Sequence, residues 1–355
     1  MANIIDFDQL TPQMKQDLSD IIVAEAILGG TASDFMEVTP AESGKRIPVL
    51  YPLSKIGKVS RGCSPAVDTA NANLVEKTWA LKEWDFKLKQ CYKDVEQALY
   101  NLGLKTNTEK PDLTGTPLMN LILRLVEPAL DEMILRFAFF GDTAANNHDA
   151  EEDEGSLTSD VDPNYFKLVD GVWKQIAGMV TSSDVSVIDI PGNDQASTAA
   201  QKSATVDALG ILSSVINDAP IDLRQVEAGR EVILVTDLFM QKLRKQIYAE
   251  DIQTEAQFAQ RQNGIQEVRL YGHTITSLPY LDKEIEASFN NGTKLDNPYR
   301  VLYTTKDNLL LGIPQGAALH DFDVWYNKDD RHTYIQGIGD LDVKVVRPEL
   351  ISVAY

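Results

Sequence analysis

Hydrophobic and polar positions recur with two different periods along this chain, and the switches between them mark its elements. Thr11 and Pro12 read as an N-cap and first helical residue. Met14, Leu18, Ile21 and Ile22 then return at helical spacing until Gly29 and Gly30 stop the run. Residues 37–90 read as one long hairpin, with Ile47–Tyr51 outgoing, a turn-rich distal part and Val75–Gln90 returning. In the return limb Trp84, Phe86 and Leu88 alternate with Asp85, Lys87 and Lys89, the period of a half-buried strand. An arm this long is uncommon inside a compact domain, so a partner is expected to cover one of its faces.

A helix is expected over residues 92–104, then a polar break, then the strongest helical pattern of the chain, Pro117 to Phe140. Leu118, Leu121, Ile122, Leu125, Ala129, Met133 and Phe137 form its apolar stripe. A continuous helix there is about 35 Å long, with a kink or a junction of two helices expected at Pro128. Tyr165–Met179 returns to helical spacing with Phe166, Val169, Trp173, Ile176 and Ala177 inward, and Ser203–Asn217 reads as another amphipathic helix. From Glu231 the pattern becomes strand then helix: Val232 to Val235 is a buried run, and Leu238–Ala249 follows as helix. Short strands are expected around Val268–Leu270, His273–Ser277, Tyr299–Thr304 and Leu309–Ile313, and a long alternating one over Thr333–Val346. No internal repeat and no clean linker divides the chain.

Charge changes this picture. The 355 residues carry 53 Asp and Glu against 33 Lys and Arg, a net charge of -20. Such a surface does not suit a general nucleic-acid binder, which needs basic side chains to displace counterions from phosphates. Yet residues 43–67 hold Lys45, Arg46, Lys55, Lys58 and Arg61 and no carboxylate. The same stretch is rich in turn formers, including Gly44, Pro48, Pro52, Gly57, Gly62 and Pro65. A basic projection on an acidic body fits a head-to-tail contact with another copy of that body, the kind of contact that builds rings and shells. Residues Met1 to Gln9 contain Asp6 and Asp8 and no apolar run of the signal-peptide kind. No stretch reaches the roughly 18 apolar residues of a membrane span. Two cysteines, Cys63 and Cys91, leave no disulfide framework and suggest synthesis in a reducing cytosol.

Catalytic and cofactor chemistry finds little support. There is no phosphate-binding GxxxxGK[ST], and Gly337-Ile338-Gly339 lacks the third glycine of a dinucleotide fingerprint. Cys63 has no histidine near it in sequence, which favours a structural thiol. His320, Asp321 and Asp323 could supply metal ligands, but so short a cluster reads better as a solvated turn. The acidic segment Asn146–Asp160 fails as a calcium loop, because its glycine falls at Gly155, one place late, and Asp160 stands where Glu closes the motif. It reads as a surface loop. No catalytic, cofactor-binding or metal residue is assigned, and no cofactor is expected.

The order of elements carries a resemblance. An N-terminal arm, a long basic hairpin, the Pro117–Phe140 helix closing in FAFFGD, the strand–helix unit EVILVTDLFMQKLRKQI, LYGHTITSLPYL, YRVLYTTKDNLLLGI and the final strand Ile335–Val346 follow one another. This resembles the major capsid proteins of tailed bacteriophages, the Hong Kong 97-type capsid fold. Proline is common in that family where His273 stands here, and the chain lacks the family's long charged helical prefix, so scaffolding would be separate or already cleaved. The resemblance implies an α+β fold with an N-terminal arm over 1–35, an extended hairpin loop over 36–91, and a peripheral domain with the spine helix over 92–180. It further implies an axial domain over 181–298 and a return to the peripheral domain over 299–355.

In function it implies a major capsid protein, not an enzyme, made in the host bacterial cytoplasm and found in the virion. Its copies would form hexamers and pentamers of an icosahedral head that encloses double-stranded DNA without sequence-specific binding. Portal, scaffolding and decoration proteins would be its other partners, with no membrane. No crosslinking lysine or asparagine can be aligned. The alternatives are an encapsulin-type bacterial compartment, which shares the fold, and a soluble α+β enzyme or ligand-binding protein. Lys45, Arg46, Lys55, Lys58, Arg61, Trp84 and Phe86 are the candidate inter-subunit contacts.

The basic stretch generates a test. Each exposed ion pair contributes only about 0.2–1 kcal/mol, but a shell repeats it in every subunit. Replacing all five cations by Glu is expected to lower particle yield, and wild-type yield should fall towards 1 M salt, where the Debye length is about 3 Å. Normal assembly of the Glu variant, together with a salt-independent wild-type yield, would rule this role out.

Overall fold

A computed structural model describes residues 30–50, 74–91, 117–148, 156–227, 229–250, 257–260, 265–270, 272–314, 320–330 and 332–355. The expected helices over 11–28 and 92–104, and Lys55, Lys58, Arg61 and Cys63, lie outside these residues. In chain order the described elements begin with α1 (Thr31–Phe35), β1 (Glu37–Ala41), β2 (Arg46–Leu50), β3 (Leu74–Thr78), β4 (Lys82–Cys91) and α2 (Pro117–Phe140). Next come α3 (Val172–Thr181), β5 (Val187–Ile188), α4 (Thr198–Ser203), α5 (Ala208–Asn217), α6 (Ile221–Arg224), β6 (Glu231–Val235) and α7 (Asp237–Ala249). The remainder is β7 (Gln257–Gln260), β8 (Gln266–Leu270), β9 (His273–Ser277), α8 (Pro279–Ser288), β10 (Val301–Thr305), β11 (Leu309–Pro314), β12 (His320–Asn327), β13 (His332–Val345) and β14 (Ser352–Ala354).

Helix α2 runs unbroken through Pro128, whose ring lies on an exposed face where the lost ladder bond faces solvent. Its buried stripe is Val126, Leu130, Ile134 and Ala138, with Phe137, Phe139 and Phe140 enclosed at the end. That is one position on from the expected stripe, since Ala129 is exposed and Met133 only half-buried. The two stripes share a spacing of four, so spacing could not separate them. Leu118 to Leu125 have no described side chains. Where α2 ends, Gly141 and Gly171 touch: a Cβ on Gly171 would lie 2.8 Å from the Gly141 nitrogen. This crossing explains why α3 starts only at Val172, although Phe166 and Val169 are buried as expected. The expected helix over 203–217 likewise starts late, at Ala208, because Asp207 stays outside the helix and caps α5 by accepting from Gly210 N at 3.0 Å.

Two large sheets carry the fold. In the first, β13 has β4 on one edge and β12 on the other, while its C-terminal part pairs with β11, which pairs in parallel with β1. Gln175 of α3 completes this strand: its amide donates to Val343 O at 2.8 Å and accepts from Val345 N at 2.9 Å. The second sheet has the order β5-β14-β10-β6-β9-β8-β7. Leu234, Leu302 and Val353 face the core that holds α2 and α3, and Ile233, Val235, Val301 and Tyr303 face a second core with α5 and α7. Burial on both faces is the reason Val232 to Val235 is an uninterrupted apolar run.

Two expected boundaries change. Val75–Gln90 is not one limb, since β3 pairs with β2 in the hairpin and β4 leaves to pair with β13. The segment 299–355 divides between sheets, with β10 and β14 in the second and β11 to β13 in the first. His320, Asp321 and Asp323 belong to strand β12 and not to a turn.

Helix α7 has no cap of its own, and Asp282 of α8 supplies one by accepting from Asp237 N at 2.5 Å and Leu238 N at 3.0 Å. Burial, with the Asp237 carboxylate as a lesser cause, pushes the Asp282 pKa up to about 7 against these two hydrogen bonds. The ordinary value is 3.8. As pH rises between the two, the unfolded chain releases this proton before the folded one, so stability from this group falls, by up to about 4 kcal/mol. Asp282→Asn is expected to flatten that decline relative to wild type, read from chemical denaturation at several pH values. Parallel curves for the two proteins would show that Asp282 does not titrate in this window.

Candidate functional site

Among the described residues the informative surfaces are those where elements project. The β2–β3 hairpin is fastened at its base. Trp79, just after β3, is 4% exposed against Ala41, Leu310 and Val346. Its indole occupies the space where a Cβ on Gly312 would lie, only 2.5 Å away. Trp79 N donates to Lys45 O at 3.0 Å and Gly44 N donates to Trp79 O at 2.8 Å. Gly44 has φ +83°, the left-handed region that glycine enters without cost. Lys77 Nζ reaches Val345 O at 2.5 Å, and burial, followed by the nearby Lys344 charge, holds its pKa below the usual lysine value. Ala80 N donates to Asp342 Oδ2 at 2.7 Å. Lys45 and Arg46 are exposed, but at this base, where β2 starts opposite Thr78, and not at the distal end.

The aromatics of β4 lie flat on β13. Trp84 and Phe86 stack with ring centroids 6.2 Å apart, and the Phe86 ring fills the space a Cβ on Gly337 would take. Trp84 is 5% exposed within the main core, Phe86 is half-buried, and Leu88 is 47% exposed. Trp84 is therefore covered by its own chain, which the expectation of a waiting partner did not foresee. Phe86 keeps an accessible part. The opposite face of the ribbon carries Trp325 stacked on Tyr334 at 5.5 Å, with Lys87 Nζ 5.1 and 5.0 Å from the two rings. Tyr334 donates to Asp330. Sequence reasoning missed Trp79, Trp325 and Tyr334. For Trp79 the available signal was Gly312, since a glycine inside a strand pattern marks a close approach.

A cavity of about 250 Å³ lies between the end of α2, α3 and the start of β10. Its cations are already matched: Lys174 to Asp142 at 2.8 Å, and buried Arg300 to Asp296 at 3.1 Å. Arg300 also lies 5.1 Å from the Trp173 ring and donates to Asn297 O at 2.9 Å, so it acts as an internal clamp. The acidic segment is held at its end, where Thr158 N donates to Ser288 O at 2.9 Å. Among the described residues no group of three metal-ligating side chains occurs, and no helix is long and apolar enough to cross a membrane.

No family model matches the sequence, and no curated protein matches it. The structure does find relatives in shape. A chain of the satellite phage P4 procapsid, a structure that includes the size determination protein, superposes with a TM-score of 0.51 at 10% identity. The match covers 96% of this chain and 98% of that one. A chain from Gordonia phage Cozz gives 0.47 at 10% identity, covering 92% and 85%. The mixed helix-and-sheet fold of this protein is thus the tailed-phage capsid fold.

Trp84→Ala is expected to destabilise the isolated chain by about 3–5 kcal/mol, the usual loss for a large core aromatic. Phe86→Ala, at a half-buried position, should cost less. Equilibrium unfolding of both variants measures this, and a Trp84→Ala protein as stable as wild type would contradict the packing described.

Proposed function

We propose that this chain is a major capsid protein whose copies form hexamers and pentamers of a closed icosahedral head around double-stranded DNA. The observation that carries the reading is the shared fold over nearly the whole length of both chains, this one and the procapsid chain. Two features of the molecule support it. Helix α2 and the first sheet are locked together by α3 and Gln175, giving a stiff plate from which the β2–β3 hairpin projects on a tryptophan-anchored base. A net charge of -20 suits a wall that confines DNA without gripping it.

In this reading Lys45, Arg46, Lys55, Lys58 and Arg61 meet acidic surface on the neighbouring subunit, and the exposed part of Phe86 adds apolar contact. The virion is the protein's final location, its synthesis takes place in the host cytoplasm, and portal, scaffolding and decoration proteins are its other partners. The role is structural and needs no cofactor.

Purified protein is expected to elute as capsomers or megadalton particles, far above the 39.4 kDa of one chain. Electron microscopy of the large fraction should show closed shells, and particles from the native source should carry nuclease-protected DNA. Shells filled with a cargo enzyme and no DNA would favour the encapsulin-type reading. A monomer at all concentrations would reject a shell altogether.

A further inference from the structure

The two ends of the second sheet carry unlike surfaces. Among the described residues six large hydrophobic side chains are exposed, and four of them, Val187, Ile221, Tyr248 and Phe258, sit at these two ends. At the β7 end, Tyr248 of α7 stacks on Phe258 at 5.8 Å, and the Arg244 guanidinium lies 5.3 Å from the Phe258 ring. Lys245 is exposed beside this pair, Arg269 is exposed on the other face of β8, and the carboxylates at this end are Glu250 and Glu267. At the β5 end, Val187 is 39% and Ile221 61% exposed. Helix α6, which holds Ile221, packs against the turn at 348–350 that leads into β14. Around it Asp218, Asp222 and Glu227 are exposed, with Arg224 among them, Arg230 paired to Asp307 at 3.1 Å, and Arg347 half-buried at the start of that turn. None of Lys245, Arg269, Asp218, Asp222 and Glu227 makes an ion pair among the described residues.

Six strand spacings separate the two ends, roughly 29 Å, so one subunit cannot bring them together. An apolar aromatic patch where cations outnumber carboxylates at one end, and an apolar patch where carboxylates outnumber cations at the other, are complementary in both respects. We infer that the β7 end of one copy docks on the β5–α6 end of the next copy. Two different patches make the contact head-to-tail, and repetition closes it into a ring. Tyr248, Phe258 and Arg244 are the anchors, residue types that dominate binding when water is excluded around them. The inference rests on the shell reading above and names the surfaces by which second-sheet regions meet inside one capsomer.

The test reverses one end at a time. Lys245→Glu with Arg269→Glu makes both ends acidic, and Asp218→Lys with Asp222→Lys makes both ends basic. All four positions are exposed, so circular dichroism and melting should match wild type. Each variant alone is expected to lose at least about tenfold in association, read by light scattering. An equimolar mixture should recover it, because each chain then presents to the other what its own copies repel. A single-end variant that associates like wild type overturns the inference, as does a mixture that stays dissociated. In both of those cases an assembling wild type leaves the shell reading standing. A wild type that never associates overturns both. Tyr248→Ala with Phe258→Ala gives an independent readout: it should weaken association without changing the charge, and unchanged association would also overturn the inference.

Discussion

Everything in the first half of the fold depends on the pairing capacity of one strand. β13 is 14 residues long and alternates buried with half-buried positions over most of its length. It holds β4 and β12 on its two edges and β11 farther along, and a glutamine side chain stands in where strand partners run out. Because the side-chain period is two, a one-residue slip would move Ile335, Leu341, Val343 and Val345 out of the core. Gly337 adds a second lock, since only a residue without Cβ admits the Phe86 ring at that register. The hairpin inherits its position from this register through Lys77, Ala80 and Trp79.

Much of this architecture was legible from spacing. The long helix, the strand–helix unit after Glu231, and the strands from Val268 to Val346 fall close to where periodicity placed them, because each couples one dominant period to one buried face. Legibility failed where tertiary context overrode local pattern. The stripe of α2 was displaced by one residue, and the 203–217 pattern concealed a capping aspartate. Strand β12 was hidden by its polar composition, which a strand tolerates when it lies at a sheet edge. Among the candidate contacts, Lys45 and Arg46 were readable as exposed cations. Trp84 was not readable as a core residue, because alternation shows that one face is buried and not which molecule buries it. Trp79 shares a strand period only with Leu81, too short a pattern to assign its role, and Gly312 is the signal that reveals it.

The second sheet solves a different problem. Both of its faces are covered, so its side chains leave little for recognition except at the two ends. One interior carboxylate of this sheet is tied off by its neighbours. Glu231 accepts from Tyr303 at 3.3 Å and lies 3.0 Å from His273 Nδ1, joining three adjacent strands. Desolvation, with the neighbouring Glu231 carboxylate, pushes the Tyr303 pKa up to about 12, so the phenol stays protonated and remains a donor.

The strand order of that sheet also sets a timetable. β10 occupies the slot between β6 and β14, yet it follows β6 in the chain by the length of α7, β7, β8, β9 and α8. As a ribosome delivers the chain, β6 therefore waits with one edge unpaired until residues 301–305 emerge, and β10 waits in turn for 352–354. Closing such distant pairs is entropically slow, and the sheet's middle is finished after its β7 end. A nascent chain consequently cannot offer a completed second sheet to its neighbours, which keeps half-made subunits out of any growing assembly.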